Sequence, residues 1–422
     1  MAAHAAADSG EPATRGLSGF SPPERATSAQ LPLRPLGAGG RAVAPLAFGA
    51  WGIGGGWGPP VDRGHAVRVV ERAIELGMTF VDTAPTYGDG LSEEIVGEAI
   101  RGRRDDVVLA TKCGPNDDPR ASLDASLRRL RTDRIDLLQL HEVPSEPGAL
   151  ERRLDTMRQL VDRGLVRAIG VCNVTHAELS QAIASAPIVS AQLQYNLIDR
   201  DAEHDVLAIA RSRGVAFLAY RPLASGLFTG KIDAAPQFEG TDHRRRIYWF
   251  SGREFERRKG VVDQLKAVAE ERGLTVAQLA LGWVLARPGV TAVLAGARSI
   301  AQVEENAGAA ARPLSLAEVS TVDAIVATAY APRALKRDVR VSREPNANGE
   351  FDVTVGQVSG ERAMSVGARE AHVMRALDGR MPYSAIAESW SGEKGRKPLL
   401  TAQVVLLVDQ LSDLGLISSA DD

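Results

Sequence analysis

The chain has 422 residues, 44% of them hydrophobic and 24% charged, with a formal net charge of -3. It is longer than an ordinary single domain and too near neutrality for a general attraction to nucleic acid or anionic lipid. No apolar run approaches the roughly 18 to 20 residues that cross a bilayer as a helix, and the start lacks a charged segment followed by an apolar block, which argues against a secretory signal.

Residues 1–30 are small and aperiodic and read as disordered. Leu31 to Leu36 and Val43 to Phe48, joined by Gly37-Ala38-Gly39-Gly40, predict a hairpin feeding a first strand at Ala44 to Gly49. Trp51 to Pro60 is a Gly-rich loop. Strands and helices then alternate, with strands at 79–82, 107–112, 135–141, 166–171, 188–193, 215–220 and 291–295. The helices between and after them fall at about 64–77, 91–101, 121–131, 147–163, 175–186, 202–213, 254–273, 276–287, 299–308 and 315–329. Eight strand-helix units predict an α/β chain closed into a (β/α)8 TIM barrel, not an open doubly wound sheet.

Leu223 to Glu254 is a long connection whose middle, Asp242-His243-Arg244-Arg245-Arg246-Ile247-Tyr248-Trp249-Phe250, is basic and then aromatic. A connection of that length in a compact domain either works at a site or docks its aromatics on a neighbouring helix. At Arg333 the character changes. Short strands at 338–342, 351–358 and 363–366, with a turn at Asn346-Ala347-Asn348-Gly349, precede helices at 368–378, 382–391 and 400–414. The expected division is a disordered segment 1–30, a barrel 31–332 and a small α+β accessory domain 333–422 that resembles winged-helix modules. Its last helix carries Asp409 and Asp413 and no Arg or Lys, the wrong sign for reading DNA. Docking on the barrel, homodimer formation, and recognition of a peptide or carrier protein are the roles left to it.

Chemistry concentrates at strand ends. Asp82, Lys112 and His141 each close a short apolar run, and Tyr87 lies five residues beyond Asp82. Polar ends of buried parallel strands mark the catalytic mouth of such a barrel. Reducing a carbonyl requires a hydride on carbon and a proton on oxygen. A phenol can give that proton if a neighbouring ammonium favours its phenolate, which leads to the expectation that Lys112 lowers the pKa of Tyr87 while Asp82 holds Lys112 charged. His141 can orient the oxygen. Each residue also has a plain reading: Asp82 and Lys112 as a structural ion pair, Tyr87 as a packing aromatic, His141 as a core histidine. The joint occurrence favours the chemical one.

The segment Val81-Asp82-Thr83-Ala84-Pro85-Thr86-Tyr87-Gly88-Asp89-Gly90-Leu91-Ser92-Glu93 resembles the signature of the aldo-keto reductase family. Further stretches are similar as well: Ala110-Thr111-Lys112-Cys113-Gly114, Leu140-His141, Gly164 to Asn173, Gln192-Leu193-Gln194-Tyr195-Asn196, Ala219-Tyr220-Arg221-Pro222-Leu223, and Gly296-Ala297-Arg298-Ser299 through Asn306. The likeness spans about residues 31–330. It implies Asp82, Tyr87, Lys112 and His141 as a catalytic tetrad and a nicotinamide cofactor bound across the barrel.

For the cofactor, the resemblance implies Asn173 and Gln192 at the carboxamide, with Cys172 where many members have Ser. Tyr220 would stack on the nicotinamide, and Gly49, Ala50 and Trp51 would offer a close backbone approach. Leu223, Ser225 and Gly226 would lie along the diphosphate, with Arg221 and Lys231 as charge partners. Gly296, Arg298, Gln302, Glu305 and Asn306 would hold the adenosine end, with Arg298 on a 2′-phosphate, so NADPH is preferred over NADH. Trp57, Tyr248 and Trp249 are the candidates for walls of the substrate pocket.

The resulting expectation is an NADPH-dependent oxidoreductase that reduces an aldehyde or ketone, with a small carbonyl substrate and no metal, nucleic acid or membrane partner. The alternatives are a cofactor-binding redox sensor acting through residues 333–422, and, within the fold, reduction of an imine or activated alkene or operation as a dehydrogenase. Two cysteines only, Cys113 and Cys172, suit a reducing cytoplasm without a disulfide.

Overall fold

Eight short apolar strands pair side by side and in parallel until the last meets the first. They are β1 (Leu46–Gly49), β2 (Phe80–Asp82), β3 (Val108–Cys113), β4 (Ile135–Leu140), β5 (Val166–Cys172), β6 (Ile188–Gln194), β7 (Ala216–Tyr220) and β8 (Val290–Gly296). The computed structural model describes residues 31–38, 40–240, 242–331, 339–345, 351–357, 363–366, 368–391, 399–414 and 416–418. Successive strand residues face opposite sides, and that alternation makes two cores. Phe80, Val108, Ala110, Leu137, Leu218 and Leu294 fill the barrel, while Val81, Leu109, Leu138 and Ile169 pack outward against the helices.

Residues 34–43 close the floor of the barrel. Arg34–Pro35 pairs antiparallel with Ala42–Val43, and Leu36 and Val43 join the interior cluster. The hairpin is shorter than the sequence suggests, because Pro45 has no N–H to give a ladder; Leu46–Gly49 leaves the hairpin and pairs with β2 and β8 instead. A second difference falls in the expected helix 202–213. It is broken into Asp201–His204 and Val206–Ser212 at Asp205, whose carboxylate accepts hydrogen bonds from the His176 N–H at 3.1 and 3.2 Å. That carboxylate caps the neighbouring helix His176–Ser185 at the expense of its own.

Beyond the barrel, Val339–Pro345, Phe351–Gln357 and Ala363–Val366 form an antiparallel sheet, followed by helices Ala368–Ala376, Tyr383–Ser391 and Thr401–Asp413. The expected turn at Asn346 to Gly349, the boundary at Arg333 and residues 1–30 lie outside the described residues. The unit has its own core, in which Val404, Val408 and Leu411 of the last helix meet Val373, Ile386 and Trp390. It docks on the barrel helix Gly252–Glu271, where Arg257 pairs with Asp409 and Arg253 with Asp413. The two acids that argue against DNA thus face arginines of the same chain. Among the described residues, no helix is long and apolar enough to cross a membrane.

Candidate active site

Inward-facing residues turn polar at the C-terminal ends of the strands. Asp82 follows Phe80 in step, Lys112 follows Ala110, and Gln139 follows Leu137, so the period that fills the barrel with apolar side chains sets a carboxylate, an ammonium and an amide in one layer above them. Lys112 is fully buried, and its Nζ lies 2.6 Å from Asp82 Oδ2, 2.9 Å from the Thr83 carbonyl and 3.0 Å from the Tyr87 hydroxyl. Asp82 Oδ1 accepts from Gln139 Nε2 at 3.1 Å and from Gln192 Nε2 at 2.9 Å. The carboxylate is therefore held on both oxygens and aims the ammonium at the phenol.

Tyr87 sits on a loop tied down at both ends. Its N–H donates to the Ala84 carbonyl at 3.1 Å and its own carbonyl accepts from Ser92 N–H at 3.2 Å. The Ser92 hydroxyl in turn donates to the Ala50 carbonyl at 2.9 Å, joining this loop to the end of β1. Gly88 and Gly54 let the two loops touch: Gly88 has φ +63, and a Cβ there would lie 1.6 Å from the Gly54 carbonyl oxygen. The His141 ring meets the Tyr87 ring edge-on, with centroids 6.0 Å apart.

Burial, more than the Lys112 charge, depresses His141 to a pKa of about 4, so its imidazole is neutral at ordinary pH. Burial raises Tyr87 above the usual phenol value against the pull of Lys112. The expectation that Lys112 sets the net direction is corrected here: the ammonium is 3.0 Å away, but loss of water around the phenolate outweighs it. For Lys112 the balance runs the other way. Burial acts to lower it, and Asp82 and then Tyr87 more than compensate, leaving it raised and charged.

With Lys112 buried behind them, Asp82, Tyr87 and His141 line a cleft of about 660 Å³. Gly49, Trp51, Asn173, Gln192, Tyr220, Arg221, Leu223, Ser225, Gly226, Lys231, Gly296, Arg298, Gln302, Glu305 and Asn306 all line it, as does Trp57, whose ring stands edge-on to Trp51 at 4.8 Å. Asn173 is already engaged at both ends, donating to the His141 carbonyl at 3.1 Å and accepting from the Tyr220 hydroxyl at 2.8 Å. Burial pushes that Tyr220 hydroxyl up to about 12. Gln302 folds back, its Oε1 accepting from Arg298 N–H at 2.7 Å at the start of helix Ile300–Ala311. Lys231 pairs with Glu305 across the cleft at 3.0 Å.

Other expected residues lie elsewhere. Ala50 and Cys172 are buried behind the lining, where burial holds the Cys172 thiol well above its usual value. Tyr248 and Trp249 do not line the cleft. Trp249 is 4% exposed under the Arg258 guanidinium, and the Tyr248 hydroxyl accepts from Arg258 Nη2 at 3.1 Å, so the aromatic half of the long connection packs on helix Gly252–Glu271. The basic half takes the position at the rim: His243 lies 6.0 Å from Trp51 between ring centroids, and Arg244 lies 5.4 Å above the Trp57 ring. Gln139 and Glu142 were also missed. The step Leu137, Gln139, His141 pointed to Gln139, and adjacency to His141 was the only signal for Glu142. Among the described residues no group of three or more His, Cys, Asp or Glu could hold a metal ion.

The Aldo/keto reductase family matches residues 45–327. This chain belongs to that family. The aldo-keto reductase YhdN of Bacillus subtilis is 38% identical over 274 residues, 61% of this chain and 82% of that protein. A second aldo-keto reductase, str7 of Strobilurus tenacellus, is 35% identical over 69% of this chain and 91% of its own length. Among solved structures, a glycerol dehydrogenase from Gluconobacter oxydans is 33% identical, with TM-score 0.63 over 70% of this chain and 95% of that one. An aldo/keto reductase from Klebsiella pneumoniae in complex with NADP and acetate is 30% identical, with TM-score 0.57 over 70% and 96%. The family match accounts for the barrel and stops short of the C-terminal unit.

Proposed function

We propose that this aldo/keto reductase uses NADPH to reduce an aldehyde or ketone to the alcohol, with Tyr87 as proton donor. The observation that carries the reading is the line from Asp82 Oδ2 through Lys112 Nζ to the Tyr87 hydroxyl, 2.6 and 3.0 Å, with Asp82 and Tyr87 lining a cleft of about 660 Å³.

The lining suits such a cofactor. Ser225 Oγ, Arg221 Nε and Arg298 Nε are buried without a hydrogen-bond partner, which is costly unless a ligand completes them. Arg221, Ala224, Ser225 and Gly226 have φ between 45° and 95°, and this turn of left-handed backbone brings the Ser225 hydroxyl and the Arg221 side chain to the wall of the cleft. At the other end burial and then the neighbouring Arg244 charge lower the Arg298 pKa, so an anion beside these guanidiniums would relieve both costs. Arg298 also donates to the Pro59 carbonyl, bringing the first loop over the cleft. NADPH, with its 2′-phosphate, satisfies this end; NADH leaves it bare. Asn173 and Gln192 would hold the carboxamide and Tyr220 the ring face.

When bound, the nicotinamide supplies hydride to the carbonyl carbon. The chain supplies the rest. Neutral His141 and the Tyr87 hydroxyl direct the carbonyl oxygen, Tyr87 gives its proton as negative charge develops there, and Lys112 stabilises the phenolate until solvent reprotonates it. Trp51, Trp57 and His243 wall the substrate side. The C-terminal unit is an accessory module of winged-helix type, with its boundary near residue 332, that serves by docking on the barrel; a role in presenting a tethered carbonyl or joining two copies is secondary to that. Two buried thiols and a nicotinamide reductant suit the cytoplasm.

Oxidation of NADPH and NADH over a panel of aldehydes and ketones tests the reading. The wild type should prefer NADPH, and Arg298→Gln should lose about tenfold or more of that preference, the range of one charge-assisted hydrogen bond, with NADH kinetics little changed. Equal use of both cofactors by the wild type would count against the assignment of Arg298.

A further inference from the structure

The C-terminal unit is joined to the cofactor cleft by one unbroken series of ion pairs and hydrogen bonds. Asp409, buried on helix Thr401–Asp413, takes Arg257 in a two-pronged pair, one prong at 3.0 Å. Arg257 Nη1 reaches Glu254 Oε2 at 2.5 Å, and Glu254 Oε1 accepts from Arg258 Nε at 2.7 Å. Arg258, 1% exposed, grips both oxygens of Asp199 at 2.7 and 3.1 Å. Asp199 Oδ2 then accepts from Gln194 Nε2 at 3.1 Å and from Asn196 Nδ2 at 2.9 Å. Both of these end on Arg221. Gln194 Oε1 accepts from its Nη1 at 3.2 Å, and Asn196 Nδ2 donates to its carbonyl at 3.2 Å.

We infer that Asp409 is a positioning residue for Arg221, so that the C-terminal unit sets how tightly the barrel holds NADPH. Arg221 has reason to need such support. Its backbone sits at φ +51, a conformation that an L side chain adopts only when its surroundings impose it, and its guanidinium is held 5.0 Å over the Trp51 ring at the wall of the cleft. The middle of the series divides Glu254 between two arginines, with the Tyr330 hydroxyl also donating to its Oε1 at 2.6 Å. With Asp409 present, Arg257 is shared between two carboxylates. Without that charge, Arg257 draws on Glu254 alone, in competition with Arg258, and the strain passes to Asp199 and to the two amides that fix Arg221. Charges this deeply buried respond to the loss of one partner because little water screens them.

The inference rests on the NADPH reading above, and the test separates the two. NADPH binding to the full chain, followed by quenching of tryptophan fluorescence, is compared with steady-state KM and kcat for wild type, Asp409→Asn, Asp409→Glu and Asp413→Asn. Asp409→Asn should weaken NADPH binding and raise its KM by about three- to tenfold, the range of a mutation in a coupling network, with kcat at saturation changed less than about twofold. Asp409→Glu should restore most of the affinity. Asp413→Asn loses only the exposed pair to Arg253 on the same helix and should bind as wild type does. Wild-type affinity in a folded Asp409→Asn protein overturns the inference. So does a matching loss in Asp413→Asn, which would point to docking in general, or a fall in kcat that tracks the folded fraction. A wild type that binds no NADPH at all would remove the cofactor reading and the inference with it.

Discussion

At the scale of single residues, the site is a set of charges whose states are decided by burial first and by neighbours second. His141, with a pKa near 4 in place of 6.5, is neutral across the working range. The sign follows from linkage: as pH falls below about 6.5 the unfolded chain takes up a proton that folded His141 refuses, so its contribution to stability erodes between about 6.5 and 4 and is flat outside that window. The rate of carbonyl reduction should accordingly be level from about pH 5 to pH 8, with no histidine limb near 6.5. Alcohol oxidation, which needs the Tyr87 phenolate, should climb with pH because burial holds that phenol high. A pH profile in both directions checks the pair, and a reductive rate that titrates near 6.5 would contradict the neutral imidazole. That Asp82, Tyr87, Lys112 and His141 would lie together was legible in the sequence because strand ends and a long motif coincide on them. Burial was not: whether Lys112 or desolvation governs Tyr87 depends on how much water reaches a phenol, which spacing along a chain does not encode.

Elements explain why the phenol stays in place. The loop that carries Tyr87 leans on the first mouth loop through Gly88 and Gly54, where backbone meets backbone without room for a Cβ. Gly88→Ala should therefore push the loops apart. Displacements near 1 Å at a reacting group cost on the order of a hundredfold in rate, and the left-handed φ adds about 1 to 2 kcal/mol of strain. We expect kcat to fall by about that factor with NADPH affinity largely kept, as measured by steady-state kinetics alongside fluorescence titration. The barrel strands were legible because buried parallel strands read as short apolar runs between periodic helices. The long connection was not. Its aromatic and basic halves are adjacent in sequence, and composition left open the docking of its aromatics on a neighbouring helix, which Trp249 does, and a place at the site, which His243 and Arg244 take. The Arg258 side chain, which supports both Tyr248 and Trp249 from a helix further on, and the packing of Phe238 and Trp249 on Phe250 hold the aromatic half in the core.

On the scale of the whole molecule, a barrel of family type carries an extra unit attached by ion pairs, by Thr401 on Asp201 and by apolar packing against Tyr330. The strands and helices of that unit were legible from pattern and docking on the barrel was among its expected roles; the contacts were not legible, because nothing in the sequence sets Arg257 and Arg253 opposite Asp409 and Asp413. A chain ending at Ala331 should still reduce small carbonyls, since the matched relatives are covered almost whole by the barrel. Its KM for NADPH should rise as in Asp409→Asn. Loss of activity confined to large or peptide-borne carbonyls would instead assign the unit to substrate recognition.

The Tyr87 hydroxyl, which faces Lys112 at 3.0 Å, is the proposed proton donor. Single-turnover mixing of NADPH-loaded Tyr87→Phe with a carbonyl that the wild type reduces is the direct measurement. We predict NADPH affinity within about twofold of wild type and a hydride-transfer rate lower by about 10² to 10⁴, the range of a lost general acid. A Tyr87→Phe protein that oxidises NADPH at the wild-type rate would contradict it.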